Sequence, residues 1–236
     1  MDRASRFLAE STGGPLSTDR TEREHMQIAI LLFDRFTALD AVGPYDVLSH
    51  LPGAETVFVA QRVGPVVNEV GSLHLTATAT FADVPRPDVV VVPGGPGWHA
   101  QMTDGPTRRW LRAADEHTAW TASVCTGSLL LAGAGLLASR RATTHWLAAD
   151  ELAPLGAVPV AERVVIDGKY VTAAGVSAGL DMAFTLAGRI AGDAVAQTVQ
   201  LAHEYEPQPP YRAGSPDRAP REIVAALRAR RDAILY

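Results

Sequence analysis

The amino-acid sequence predicts an α/β domain in which helices cover both faces of a mostly parallel sheet, and three observations carry that prediction. In residues 27–33 and 88–92 every position after the first, Gln27 or Asp88, is apolar, as strands buried on both faces must be. Stretches of helical periodicity separate such runs, so strands and helices alternate along most of the chain. With 236 residues, 47% of them hydrophobic, the chain has material for one large core and too little for a second full domain.

In chain order, residues 1–25 are mostly polar, contain Gly13-Gly14-Pro15, and read as an extension outside the fold. The run 27–33 is a central strand. Residues 40–51 follow as a helix entered through Gly43-Pro44, since proline is tolerated in a first turn. A second strand is predicted at 56–60, and a smaller ribbon pairs 66–70 with 73–80. The strand 88–92 runs into Pro93-Gly94-Gly95-Pro96-Gly97, a loop whose backbone can approach a ligand closely.

Helical patterns cover 103–116, with capping chemistry at Thr103-Asp104-Gly105-Pro106, then 127–137 and 178–190. Residues 164–172 read as a hairpin with Asp167-Gly168 at its turn. The proline-rich stretch 206–216 is expected to lie extended on the surface. Residues 221–235 form an amphipathic helix, read as packed on the domain or on a dimer partner rather than on a membrane or nucleic acid. The predicted organisation is therefore an extension at 1–25, a domain at 26–220 and a C-terminal helix at 221–236.

Several function classes fall away. The net charge is −5 with no basic stripe, so nucleic acid is not an expected partner. A single cysteine excludes a disulfide framework and a thiolate-rich zinc site. His74, His99, His117 and His203 show no paired spacing, and no metal is assigned. No apolar run approaches the roughly 20 residues that cross a bilayer, and the N-terminus lacks a signal peptide's apolar core, so the expected location is cytoplasmic.

Chemistry is expected beyond the carboxyl ends of the strands, where loops of an open α/β sheet converge. The run from Trp120 to Leu131 places Cys125 between a strand-like and a helix-like stretch. At such a corner a side chain points outward, with N–H groups and a helix N-terminus beside it, and the thiol is expected to ionise near neutral pH. The alternative is a buried, inert cysteine, and this segment alone leaves both open. Asp40 follows the first strand in an apolar setting that should raise its pKa and suit it to proton transfer, or it serves as a helix cap. Asp46 is the second carboxylate candidate.

Thr126 can hydrogen-bond a substrate or the sulfur, or simply cap the helix. Its presence where a hydrolase-type Cys-His dyad would most simply carry histidine disfavours that mechanism. His145 is the best remaining imidazole, against a structural role beside Trp146. Gly175-Val176-Ser177 ends the late hairpin and completes the set.

The strings Ser123-Val124-Cys125-Thr126-Gly127-Ser128, Arg141-Ala142-Thr143-Thr144-His145-Trp146, Gly175-Val176-Ser177-Ala178-Gly179-Leu180-Asp181 and Glu204-Tyr205-Glu206-Pro207-Gln208-Pro209-Pro210 resemble the DJ-1/PfpI superfamily, and within it the isonitrile hydratase (isocyanide hydratase) branch. The resemblance implies a flavodoxin-like, class I glutamine amidotransferase-like three-layer sandwich, a homodimer, and neither organic cofactor nor metal. It implies a carbon–oxygen lyase that hydrates a small isonitrile to an N-substituted formamide through a cysteine thioimidate. Cys125 would be the nucleophile, Asp40 its proton-transfer partner and Thr126 the third member. Gly95 would line an anion-stabilising pocket, and Gly94, Val176, Ser177 and His145 would contact substrate.

Two departures bear on substrate size and polarity. Ala41-Val42 stands where the branch often carries Leu-Thr, and Trp98-His99 follows the glycine loop. Competing expectations are a thiol-based stress sensor or ligand-binding protein, and a glyoxalase-like or biosynthetic enzyme acting on another electrophilic carbon. A sensor joined to a helix-turn-helix reader fits less well, because only a short amphipathic stretch follows the core.

Overall fold

A computed structural model describes residues 25–103 and 105–236. The expected extension at 1–25 lies outside the described residues except for His25, which meets the Glu55 carboxylate at 2.8 Å. The strands are β1 (Met26–Leu31), β2 (Ala54–Ala60), β3 (Gly64–Val67), β4 (His74–Ala77), β5 (Ala79–Thr80), β6 (Val89–Val92), β7 (Trp120–Val124), β8 (Arg141–Ala142), β9 (Val158–Pro159), β10 (Val164–Asp167) and β11 (Tyr170–Ala173). The α-helices are α1 (Ala38–Leu48), α2 (Pro106–Asp115), α3 (Gly127–Gly133), α4 (Ala178–Ala191), α5 (Asp193–Ala202), α6 (Arg221–Ala229) and α7 (Arg231–Leu235).

Seven strands form the central sheet in the order β10-β11-β7-β6-β1-β2-β5, every pair parallel except β10 with β11. The core order β2-β1-β6-β7-β11 is that of a flavodoxin-like sheet, with its switch point between β1 and β6. Helix α1 packs on α4, and α2 packs on α3, so helices flank the sheet as an α/β sandwich. All four valines of β6 are buried, as are Ile28 to Leu31 of β1. Each such side chain contributes about 1.5–3 kcal/mol by leaving water, which fixes these two strands at the centre.

Several element boundaries move for identifiable reasons. Pro44 is seventh of eleven residues in α1, not in its first turn. Its ring faces Gly179 of α4, where an added Cβ would lie 3.7 Å from the ring and 3.0 Å from Val124, so the glycine lets the two helices approach. Helix α2 starts within the predicted Thr103-Asp104-Gly105-Pro106, with Gly105 at the N-cap and Pro106 as its first residue; Asp104 lies outside the described residues. The predicted helix 127–137 stops at Gly133.

The late hairpin turns through Gly168-Lys169, because Asp167 pairs with Tyr170 and belongs to the strand. Only Gly168 of those two has positive φ, which suits the first central position of a two-residue turn. Gly192 (φ +89) separates α4 from α5, a helix absent from the sequence prediction. The amphipathic stretch 221–235 is broken at Arg230 into α6 and α7, and α7 folds back onto the domain.

Candidate active site

The loops leaving β1, β6, β7 and β11 meet at the carboxyl end of the sheet. Thr37 N–H, after β1, donates to the Gly94 carbonyl, after β6, at 2.8 Å, and Gly97 N–H donates back to Arg35 at 3.2 Å. Cys125 lies between β7 and α3 with φ +56, the left-handed region that side-chain-bearing residues rarely adopt. The corner is pinned on both sides. Cys125 N–H donates to the carbonyls of Ala173 and Ala174 at 3.1 and 3.0 Å, and its carbonyl accepts from the hydroxyls of Thr144 and Ser128 at 2.9 and 3.2 Å. Tertiary bonds thus hold a conformation that local preference opposes.

Asp40 occupies the first turn of α1 and is fully buried. Its Oδ2 accepts the Gly94 N–H at 2.9 Å, while Oδ1 has no hydrogen-bond partner among the described residues. Burial pushes its pKa to about 7; the Gly94 N–H opposes the shift, the nearby Glu69 charge adds to it, and a weak interaction with the Cys125 thiol opposes it. Thiol and carboxyl are therefore neighbours, with no good hydrogen bond yet closed on Oδ1. Asp46, by contrast, is exposed, so of the two carboxylates Asp40 is the one buried beside the thiol.

The expectation of a thiol ionised near neutral pH is corrected. Burial pushes the Cys125 thiol well above its ordinary range, and the Asp40 charge pushes it the same way. The N–H groups of Thr126 and Val176 and the Thr126 hydroxyl act on the sulfur in the opposite sense, without outweighing desolvation. Two negative charges side by side in this dry setting are disfavoured, so sulfur and carboxyl form a coupled pair that holds a single charge above about pH 7. Proton transfer within the pair interconverts thiol–carboxylate and thiolate–carboxylic acid without changing the total charge.

Thr126 stands at the N-cap position of α3 but makes no side-chain cap bond. Its hydroxyl accepts the Gly95 N–H at 3.0 Å and acts on the sulfur. That bond occupies the Gly95 N–H, so Gly95 lines the cavity while the N–H groups that act on the sulfur are those of Thr126 and Val176. Gly94 matters for space instead: a Cβ there would lie 2.5 Å from Thr126 N and 2.9 Å from the Cys125 Cβ. Val176 itself has φ +41, so the N–H it aims at the sulfur is also held by an unfavourable backbone.

A cavity of about 90 Å³ opens on the sulfur, lined by Thr37, Gly95, Pro96, Cys125, Thr126 and His145, with Val176, Ile234 and Leu235 closing it. His145 does two things at once: its Nδ1 accepts the Leu147 N–H at 3.3 Å, capping a short helical turn, and its ring faces the cavity. Burial lowers its pKa, so the imidazole is neutral at physiological pH. Ser177 is not brought in; it is exposed, its hydroxyl accepts from Arg163 at 3.3 Å, and it does not line the cavity. Thr37, Pro96, Ile234 and Leu235 were not singled out from sequence. Among the described residues, no group of His, Cys, Asp and Glu side chains is arranged to hold a metal, and no helix is long and apolar enough to cross a membrane.

This sheet order, with a cysteine at a positive-φ corner beside a buried acid, defines an α/β sandwich of a particular kind. Residues 26–188 match the DJ-1/PfpI family, and the chain belongs to it. It is 47% identical over 205 residues to the isonitrile hydratase of Pseudomonas putida, a match that covers 87% of this chain and 90% of that protein. A THiJ/PfpI family protein from Pseudomonas syringae has a similar crystal structure, with a TM-score of 0.82 and 35% identity over 96% of this chain and 98% of that one. An HTH-type transcriptional regulator of Pseudomonas aeruginosa is 31% identical over 78% of this chain, but that match spans only 52% of the regulator.

Proposed function

We propose that the protein hydrates an isonitrile to an N-substituted formamide, with Cys125 as nucleophile and Asp40 as the group that moves the proton. The observation that carries this reading is the buried carboxyl beside the only thiol, one oxygen fixed by Gly94 and the other without a hydrogen-bond partner among the described residues, with its pKa near 7. An isonitrile carbon accepts a soft nucleophile when a proton reaches the same carbon, and the pair in its thiolate–carboxylic acid form supplies both. The likeness to the Pseudomonas putida enzyme over nearly all of both chains supports the same chemistry.

In the first step a bond forms between Sγ and the isonitrile carbon, and the Asp40 proton passes to that carbon. The product is a neutral thioimidate, leaving Asp40 ionised. Asp40 then takes a proton from water as the water oxygen adds to the thioimidate carbon, and returns it to nitrogen. Collapse of the adduct sends the hydroxyl proton to Asp40 and expels sulfur as thiolate. The released product is the formamide, and the pair is restored to its starting form. No cofactor enters the balance.

The cavity's small size and largely apolar walls suit a compact substrate. A redox-sensing role is less well served, because oxidation follows thiolate character and exposure, and Cys125 is 5% exposed with its pKa raised. The reading includes a homodimer, which light scattering on the eluting protein tests, and a cytoplasmic location, where a free thiol stays reduced. The decisive experiment incubates the purified protein with an isonitrile and follows formamide by NMR and the Cys125 adduct by intact mass. Turnover by the wild type and none by Cys125→Ala is expected; no turnover by the wild type with any aliphatic or aromatic isonitrile rejects the proposal.

A further inference from the structure

Two residues that line the cavity together with the sulfur come from a distant part of the sequence. Ile234 and Leu235 of α7 line it together with Cys125, although Ile234 lies 109 positions after Cys125 in sequence. Leu235 is 3% exposed. The segment that bears them is held from three directions. The Trp98 indole N–H donates to the Leu235 carbonyl at 2.9 Å, and Arg35 Nη1 donates to the Tyr236 carbonyl at 2.7 Å. Arg231 reaches the Leu147 carbonyl at 2.8 Å and the Glu151 carboxylate at 2.6 Å, which also accepts the Tyr236 hydroxyl at 2.9 Å.

The Trp98-His99 pair, unexplained by the reaction, thereby acquires a role. The His99 ring stands edge-on to Tyr236 at 5.2 Å, and Trp98 lies against the same ring at 5.7 Å. Two aromatic contacts and a buried indole hydrogen bond fasten the segment beside the loop that carries Gly95. A latch of this kind keeps the wall in place rather than letting it drift with solvent.

We propose that Ile234 and Leu235 are the specificity-determining wall of the Cys125 cavity, limiting it to compact apolar isonitriles and rejecting bulky aromatic ones. The proposal rests on the hydratase reading for its substrate class, but not for the wall itself. A cavity of about 90 Å³ is far below the several hundred Å³ of pockets that take drug-sized ligands. In apolar pockets each methylene of misfit alters discrimination about 10- to 200-fold. Trimming the wall should therefore change which substrates are accepted more than it changes the chemistry.

The test compares the wild type with Leu235→Ala, which shortens the wall, and Arg231→Ala, which removes a partly exposed anchor that does not line the cavity. Two ratios are read: kcat/KM for 2-naphthyl against ethyl isonitrile, and the rate of Cys125 alkylation by N-phenylmaleimide against iodoacetamide, followed by intact mass. Because the chain has one cysteine, alkylation reports this cavity alone. Leu235→Ala is expected to raise both ratios about tenfold or more, and Arg231→Ala to raise the alkylation ratio. A raised alkylation ratio with no isonitrile turned over by any of the three proteins sustains the wall and sinks the hydratase reading. An alkylation ratio unmoved in both variants overturns the wall, whatever the turnover.

Discussion

Asp40 and Gly94 are joined by one hydrogen bond of 2.9 Å that fixes Oδ2 of the carboxyl and leaves Oδ1, equally buried, without a hydrogen-bond partner among the described residues. A buried polar atom without a partner carries a desolvation penalty of about 1–3 kcal/mol, and a catalytic role is one of the few causes that account for it in a native protein. Here the atom is the one available to exchange a proton with sulfur and substrate.

From that relationship the pH dependence of turnover follows. The pair loses its first proton near pH 7, and only then contains the thiolate–carboxylic acid form that attacks. The expected kcat/KM rises through about pH 7 and then levels, rather than falling there. Asp40→Asn removes the limb and lowers turnover about 10²- to 10⁴-fold, measured with a fixed isonitrile across pH 5 to 9.

The same carboxyl makes a statement about stability, with a definite sign. Asp40 holds its proton more tightly in the native protein, with a pKa of about 7, than at the ordinary value of 3.8. The stability it contributes is therefore complete at low pH and is lost as pH rises through about 7. Asn keeps an oxygen for the Gly94 N–H and has no charge to bury. Thermal melts of Asp40→Asn and wild type are expected to coincide near pH 4 and to separate at pH 8, with Asn the more stable by an amount on the order of a few kcal/mol.

Gly94 is expected to tolerate no side chain. A Cβ there would meet the Thr126 backbone at 2.5 Å and its hydroxyl at 2.6 Å, so the corner bearing Cys125 would have to move. Gly94→Ala should cost about 1–3 kcal/mol of stability and far more in turnover, since a small displacement of sulfur from the carboxyl removes the alignment on which both steps depend. Denaturant midpoints and kcat, taken on one preparation, check the two effects separately.

Thr126→Val keeps shape and removes the hydroxyl that accepts from Gly95 N–H and acts on the sulfur. The unpaired Gly95 N–H is expected to cost about 1–3 kcal/mol. Since the hydroxyl lowers the thiol's pKa, its loss raises that pKa further. The pH dependence of Cys125 alkylation should shift upward, and an unshifted profile would mean that the hydroxyl does not reach the sulfur.

Much of this site was legible in the residues because its chemistry coincides with strand ends. Asp40, Gly94, Cys125 and Val176 each follow an apolar run, and parallel sheets place the ends of such runs on one edge. What escaped was of two kinds. The protonation of Cys125 was misjudged because a local argument from N–H groups cannot weigh complete burial, which depends on every neighbour at once. Ile234 and Leu235 were read only as the apolar stripe of a terminal helix, since nothing in an amphipathic pattern says which surface it covers. Ser177 erred in the opposite direction, because its neighbour Val176 turns inward at positive φ while Ser177 faces solvent.

Assigning the limb near pH 7 to the acid–thiol pair requires that the one imidazole lining the cavity not produce it. His145 titrates below its ordinary value because it is buried, and its Nδ1 is engaged by the Leu147 N–H, so it serves as a cap and a wall. Asn is among the best residues at a helix N-cap and can take over that bond. His145→Asn is therefore expected to retain the rising limb of kcat/KM near pH 7 with at most a change in KM, whereas Asp40→Asn loses it. If the limb disappears in His145→Asn and survives in Asp40→Asn, the proton moves through the imidazole, and the carboxyl is only a structural neighbour of the sulfur.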